Sequence, residues 1–218
     1  MTGLVSAGRG LGRFVVLMAG AGAVGTIAGW VVNRVSGDRM APWILGRASG
    51  VCGYLMLVGL VLFGLSLSHP RRAQRGRSAT TRMRAHIVLA LLTFGFIALH
   101  VISLATDAYA GVGWWGSVVP FGAQYRPLPV TLGVLGVWLG LLAGGSAALA
   151  GRLPRRAWWP LHKVAALTFL LVWLHAVFAG SDTTALLGLY AGTGLLLLGA
   201  VVDRYARRRP MVLDEAPT

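Results

Sequence analysis

The chain has 218 residues, of which 56% are hydrophobic and only 12% are charged. Soluble domains carry about 25% charged residues, so this composition excludes an ordinary soluble domain. A formal net charge of +14 would suggest nucleic-acid binding in a soluble protein, but in a membrane protein basic residues report orientation. We therefore expect a protein of the lipid bilayer with no nucleic-acid partner.

Six apolar stretches come close to the roughly 20 residues that a helix needs to cross a bilayer. In chain order they are Phe14–Val32, Ala48–Ser66, His86–Ala105, Val130–Ala150, Trp159–Ala179 and Ala185–Val202. They leave no segment for a separate soluble domain. The expected fold is all-α, a bundle of six transmembrane helices at 14–202, between an N-terminus at 1–13 and a tail at 203–218.

The first stretch also has a second interpretation. Arg9 and Arg13 precede an apolar run that is rich in glycine and alanine, as in a secretory signal peptide. That run is longer than the apolar core of a typical signal peptide, which favours a membrane span. Cleavage would leave five spans.

The basic residues alternate along the chain between the two sides of the membrane. Sixteen of the twenty lie before span one, between spans two and three, around the start of span five, or after span six. The other four are Arg34, Arg39, Arg47 and Arg126. By the positive-inside rule, we expect a multi-pass protein of the cell membrane with both termini cytoplasmic.

Two longer connections differ in character. Pro70–Arg84 is rich in arginine and lacks apolar periodicity, so it is expected to face solvent and lipid headgroups, with a docking site for an acidic partner as the alternative. Thr106–Pro129 is aromatic and rich in glycine. Such aromatic side chains usually form an interfacial belt, and a lid over an outer site is the alternative.

Four of the five histidines lie in spans three and five, two in each, near opposite ends. His86 and His100 are 14 residues apart, so they share one helix face and lie about 21 Å apart. His162 and His175 are 13 residues apart. Because spans three and five run in the same direction, His86 is level with His162, and His100 is level with His175.

Two facing imidazoles at each of two depths indicate axial ligation of two b-type haems. The alternative is that each histidine only hydrogen-bonds a neighbouring helix. A dinuclear metal site is disfavoured because the six stretches contain no Asp or Glu to bridge two ions. Cys52 is the single cysteine, so an iron–sulfur cluster or a disulfide within the chain is not expected.

The 13-residue spacing does not fit an ideal helix, because at about 100° per residue it falls about 140° short of four turns. Pro160 would place His162 in the first turn of span five, where the backbone or the rotamer can deviate. We therefore predict a bend, a tightened turn or an unusual rotamer that brings both rings round to span three. His69 would replace His162 if this failed; otherwise it would cap the end of span two.

The histidine segments resemble the ferric reductase-like transmembrane domain of ferric reductases, NADPH oxidases and the haem-binding subunit of the bacterial methionine sulfoxide reductase system. The resemblance covers spans two to six. It rests on Arg84-Ala85-His86 with His100 after thirteen further residues, and on Trp158-Trp159-Pro160-Leu161-His162 with His175 after twelve. The second segment is similar to the family's W-x-x-L-H opening of span five.

The resemblance implies an inner haem held by His86 and His162 and an outer haem held by His100 and His175. Haem propionates are anionic and favour cationic partners. Three residues at suitable depths are Arg47 for the outer haem and Arg84 or Lys163 for the inner haem.

Only sixteen residues follow Val202, and no dinucleotide fingerprint is present, so we expect an oxidoreductase component without its own flavin or NAD domain. Electrons would come from a separate flavoprotein, from FMN or FAD, or from a quinol. They would pass to a ferric chelate, to oxygen or to a partner reductase. The alternatives are a quinol-linked cytochrome b membrane anchor and a non-redox haem-handling membrane protein.

Overall fold

The computed structural model describes residues 41–69 and 76–206, together with Ile27, Trp30, Val31 and Arg34. The secondary structure in this part of the chain is helical, with no strand. Its helices are α1 Ala41–Leu67, α2 Gly76–Thr106, α3 Gly113–Val118, α4 Pro127–Ala148, α5 Arg155–Lys163, α6 Ala165–Ala179 and α7 Thr183–Ala206. Val164 alone separates α5 from α6.

Five helical segments are long and apolar enough to cross a membrane. They are α1, the part of α2 from Thr80 to Thr106, α4, α5 with α6, and α7. These segments confirm the helical character and the positions of predicted spans two to six. Almost all of the first predicted span, Phe14–Val32, lies outside the described residues, so the sixth span and the six-helix count stay predictions.

The helices extend beyond the apolar stretches from which they were predicted. Helix α2 begins at Gly76 rather than near His86, so much of the arginine-rich segment Pro70–Arg84 is helical. Helix α5 begins at Arg155, directly after Pro154 in extended backbone. The prediction that His162 lies in the first turn of its helix was therefore wrong: it lies in the last turn of α5. Hydropathy marks where lipid begins, whereas a helix can continue into the headgroup region.

The helices pack as two pairs. Helix α1 lies along α2, and α4 lies along α6, while α7 covers the edge formed by α1 and α6. In the described part of the chain, the backbones of α2 and α6 make no extensive contact with each other. The two pairs meet through side chains, and these include the histidines.

A small polar core joins α1, α6 and α7 in the middle of the bundle. The hydroxyl groups of Tyr54 and Thr193 are hydrogen-bonded, and the Tyr54 ring packs edge-on against that of Tyr190, with centroids 5.4 Å apart. Trp173 Nε1 donates to the backbone oxygen of Tyr190 at 3.0 Å. These contacts satisfy polar groups that would be costly at membrane depth.

The two ends of the bundle differ in chemistry. The end where α1 and α7 finish, called the arginine-rich end below, carries Arg82, Arg84, Arg152, Arg155, Arg156, Lys163 and Arg204. The opposite end, called the aromatic end, carries the connection from Thr106 to Pro127. Tyr125 and Arg126 tie that connection to the end of α6 by hydrogen bonds to the backbone oxygens of Ala179 and Phe178, at 3.2 and 2.8 Å.

Candidate functional site

The structure brings the four predicted histidines together as two pairs at two depths. The rings of His86 and His162 face each other near the arginine-rich end, with centroids 6.2 Å apart and an interplanar angle of 77°. The rings of His100 and His175 face each other near the aromatic end, with centroids 6.2 Å apart and an angle of 80°. The prediction that His86 is level with His162, and His100 with His175, is therefore confirmed.

Each of the four rings is oriented by a backbone carbonyl. Nδ1 lies 3.1 Å from Leu60 O in His86, 2.6 Å from Gly46 O in His100, 3.3 Å from Ala143 O in His162 and 2.8 Å from Pro129 O in His175. A carbonyl oxygen only accepts hydrogen bonds, so each Nδ1 carries the proton and donates it. Nε2 is then the nitrogen with a lone pair, which is the arrangement that metal-binding histidines adopt.

Three of the four histidine rings can reach their carbonyl oxygen because a glycine lies four residues after that carbonyl in the neighbouring helix. Gly50 follows Gly46, Gly64 follows Leu60, and Gly133 follows Pro129. A Cβ atom in a helix tilts back towards the preceding turn, where it would cover that carbonyl. A Cβ atom added at Gly50 would lie 2.8 Å from His100 Nδ1, and one added at Gly133 would lie 2.7 Å from His175 Nδ1. Glycine is therefore required for these close approaches.

At His162 the corresponding position is Ala147, and this histidine has the longest of the four Nδ1 hydrogen bonds. Its ring is supported instead by two tryptophans of α5. The rings of Trp158 and Trp159 each lie 6.1 Å from it, centroid to centroid. This packing gives the tryptophans of the W-x-x-L-H segment a physical role beside the histidine.

The helix carrying His162 and His175 contains the predicted irregularity. The backbone N–H of Val164 donates to Leu161 O at 3.1 Å, three residues back, and regular α-helix resumes at Ala165. This is a tightened turn, in which each residue advances the chain by more than 100°. A tightened turn was one of the predicted irregularities, and the rings on both sides of it face their partners on α2.

The space between the paired helices is only partly filled. All four histidines are half-buried, and the backbones of α2 and α6 stand apart. Phe94 of α2 crosses between the two histidine levels and packs on Gly144 of α4, where an added Cβ atom would lie 3.0 Å from the ring. Each histidine pair therefore spans a gap between α2 and the α5–α6 segment.

The donor set and spacing fit axial ligands of haem. An imidazole nitrogen lies about 2 Å from a bound metal and about 1 Å from its own ring centre, so two imidazoles across one ion have centroids about 6 Å apart. Both pairs have this separation. No cluster of three or more His, Cys, Asp or Glu side chains suited to a metal ion occurs among the described residues. Each level thus offers two nitrogens, the number that a six-coordinate haem takes from protein.

The predicted cationic partners are placed differently from one another. Arg47 forms an ion pair with Asp182 and stacks on Trp43 with its guanidinium carbon 4.0 Å from the ring centroid. Arg84 is exposed on α2. Lys163 is exposed, with its Nζ 5.6 Å from the centroid of Trp159. The anion that the structure provides for Arg47 is thus a carboxylate, and a propionate role stays a prediction for all three.

Two acidic residues escaped the sequence analysis because both lie just outside the apolar stretches. Asp182, between α6 and α7, pairs with Arg47. Asp203 lies in α7, which continues past Val202 to Ala206, and its Oδ2 lies 3.3 Å from Nε2 of His69. His69 is therefore engaged with α7, and since His162 faces His86, the substitution of His69 for His162 is not needed.

Together these features define a class, a helical membrane bundle with two stacked pairs of facing, carbonyl-oriented histidines. Comparison with known proteins returns no matching family model, no matching curated protein and no matching solved structure. The likeness to the ferric reductase-like domain therefore rests on the histidine segments alone.

Proposed function

We propose that the chain is a transmembrane electron-transfer subunit that holds two b-type haems, one between His86 and His162 and the other between His100 and His175. The observation that carries this proposal is the equal 6.2 Å separation of two histidine pairs at two depths. The protonated Nδ1 atoms add support, because they leave the coordinating nitrogen of each ring available. A histidine that served only helix packing would not need this repeated arrangement.

Haem iron supplies one-electron exchange, and the protein sets its position, its axial ligands and its access to solvent. Along α2 the two levels lie about 21 Å apart, which is most of the hydrocarbon thickness. Two redox centres at these depths form a path across the bilayer. A single buried site would serve haem storage equally well, so the second level is what favours transfer across the membrane.

The proposed direction is from the arginine-rich end to the aromatic end. Basic residues mark the cytoplasmic side of membrane proteins, and cellular reductants are cytoplasmic. An electron that leaves a negative interior moves with the membrane potential, which favours export by about 2.3 kcal/mol per 100 mV. The donor is a flavoprotein, a flavin or a quinol, and the acceptor is a ferric chelate, oxygen or a partner reductase.

Oriented vesicles test the proposal. The purified protein is reconstituted into vesicles, and its orientation is determined by protease protection. Dithionite-reduced flavin is supplied at the arginine-rich face. An impermeant ferric chelate is supplied at the opposite face. We expect haem oxidation that depends on the chelate at the aromatic face. His100→Ala should abolish it while the haem near the arginine-rich end stays reducible. Oxidation only by chelate on the same face as the reductant would contradict transfer across the membrane.

The second candidate, a non-redox haem-handling protein, differs in a simple observable. It predicts haem that exchanges with external haem acceptors and has no coupled oxidation across the vesicle. Retention of both haems during an overnight incubation with apomyoglobin would favour electron transfer. Loss of both haems to apomyoglobin would favour the second candidate.

A further inference from the structure

A groove lies between α1 and α7 at the arginine-rich end of the bundle. It is open on one side and has a volume of about 480 Å³. Among the residues that the structure describes, the walls are apolar and the polar lining consists of three side chains, Ser66, His69 and Asp203. Its apolar lining residues are Leu62, Leu65, Leu195, Leu196, Gly199 and Ala200.

The polar side chains of the groove form a compact group. His69 is only 7% exposed, and its Nε2 lies 3.3 Å from Asp203 Oδ2. Ser66, one turn earlier on α1, has a buried hydroxyl oxygen for which the described residues provide no hydrogen-bond partner. A buried hydroxyl without a partner is uncommon in folded proteins and indicates that a ligand or water completes the site.

One wall of the groove is exposed and apolar, on a helix that is long and apolar enough to cross a membrane. Leu195 and Leu196 on its α7 wall are 70% and 54% exposed on the surface of a membrane-spanning helix. A ligand that enters there comes from the bilayer, so it needs an apolar body. It also needs polar atoms that can reach both the hydroxyl of Ser66 and the His69–Asp203 pair.

The charge of the lining separates two kinds of bilayer ligand. A phospholipid would bring an anionic phosphate next to the carboxylate of Asp203, which is unfavourable. The nearby cation Arg204 donates to the hydroxyl of Ser68 and does not line the groove. A neutral ring with two oxygen atoms and an apolar tail meets no such repulsion.

We propose that this groove binds the headgroup of a membrane quinone or quinol. One ring oxygen bonds the Ser66 hydroxyl and the other bonds the His69–Asp203 pair, while the tail lies between the leucines. Gly64, which contacts the His86 ring, precedes Ser66 by two residues, a rise of about 3 Å along α1. The claim that this ligand supplies electrons to the histidine pair near the arginine-rich end rests on the proposed function. The claim that the groove binds the ligand does not.

Photolabelling tests the site in nanodiscs of phosphatidylglycerol with an azido analogue of decylubiquinone. Gly199→Phe fills the groove, because a Cβ atom at Gly199 meets no atom within 4 Å. Gly192→Phe is the matched control, since Gly192 lies two turns earlier on α7, is equally open and does not line the groove. Ser66→Ala and His69→Gln remove the polar contacts without adding bulk. Haem content and thermal stability are measured on every sample.

We expect labelling in the peptides that contain Ser66–His69 or Leu195–Asp203, displaced by excess decylubiquinone. Gly199→Phe, and Ser66→Ala combined with His69→Gln, should each reduce it about tenfold, whereas Gly192→Phe should not. Labelling spread evenly over lipid-facing helices, or displaced equally by added phospholipid, would overturn the proposal. A sample with two haems and no displaceable labelling contradicts the groove alone, and a haem-free sample with displaceable labelling contradicts the proposed function alone.

Discussion

Each histidine depends on a feature of a neighbouring helix as well as on its own position. Gly50 and Gly133 allow the closest approaches, while Gly64 leaves 3.2 Å between an added Cβ atom and the His86 ring. The pair near the aromatic end also has the shorter Nδ1 hydrogen bonds, 2.6 and 2.8 Å. The site near the aromatic end is therefore the more tightly built of the two.

These contacts predict a graded effect of glycine-to-alanine substitution. Gly133→Ala and Gly50→Ala should each displace a ring and lower the content of the outer haem, because the new methyl group would lie within 3 Å of Nδ1. Gly64→Ala should have a smaller effect on the inner haem. Gly145→Ala is the control on α4, as its Cβ atom meets nothing within 4 Å. Haem content, determined by the pyridine haemochrome method, measures each effect. An equal loss of haem in Gly145→Ala would contradict the steric explanation.

The ion pair between Arg47 and Asp182 offers a test of which anion Arg47 serves. Because the pair joins α1 to the connection after α6, we expect Arg47→Ala and Asp182→Asn to lower thermal stability by similar amounts, and the double variant to lose no more than either. An unchanged outer haem spectrum in both variants would identify Asp182 as the anion that Arg47 serves. A spectral or potential shift in Arg47→Ala that Asp182→Asn does not share would show that a propionate is the partner.

At the scale of elements, hydropathy and histidine spacing predicted the five described spans and the pairing of levels. The predicted starts were late at each of the five spans, most of all at α1 and α2, because hydropathy reports contact with lipid and not hydrogen bonding along the helix. The carbonyl partners of the histidines were not predictable, since they depend on which glycines of α1 and α4 face α2 and α6. Asp182 and Asp203 became visible only when the helix ends were placed in space.

The tightened turn at Val164 predicts an asymmetry between insertion and deletion. One alanine inserted after Val164 gives a 14-residue spacing, as in His86–His100, which a continuous helix can present on one face. Deletion of Ala166 gives a 12-residue spacing, which on a continuous helix leaves the two rings about 120° apart around the helix axis. We expect the insertion to retain the outer haem and the deletion to lose it, as measured by haem content. An alanine inserted after Ser181, outside the helices, is the control. Loss of the outer haem in the insertion variant and its retention in the deletion variant would contradict the assignment of the turn at Val164.

At the scale of the whole molecule, charge and chemistry both divide the bundle into two unlike ends. The arginine-rich end is expected to face the cytoplasm, and the aromatic end carries highly exposed rings, including Tyr109 at 80% and Trp115 at 70%. Such exposure is typical of an interfacial belt at the membrane surface. The proposed direction of electron flow depends on this asymmetry, because the basic end assigns the cytoplasmic side.

The orientation of the bundle in the membrane can be tested by labelling single cysteines introduced into a Cys52→Ala background. Gly151 and Ser181 are exposed at the arginine-rich and aromatic ends, respectively. We expect an impermeant maleimide to label Ser181→Cys in intact cells and to label Gly151→Cys only after lysis. Labelling of Gly151→Cys in intact cells would invert the orientation, and with it the proposed direction of electron flow.

The most direct test of the proposed two-haem site is the number of haems per chain in the purified protein and in two histidine variants. The expected result is about two low-spin b haems in the wild type, and about one each in His86→Ala and His100→Ala, because each variant removes one axial ligand from one level. The two residual haems should differ in reduction potential, since each variant leaves a different site. A wild-type chain that holds no haem after saturation, or equal haem content in all three proteins, would contradict the assignment.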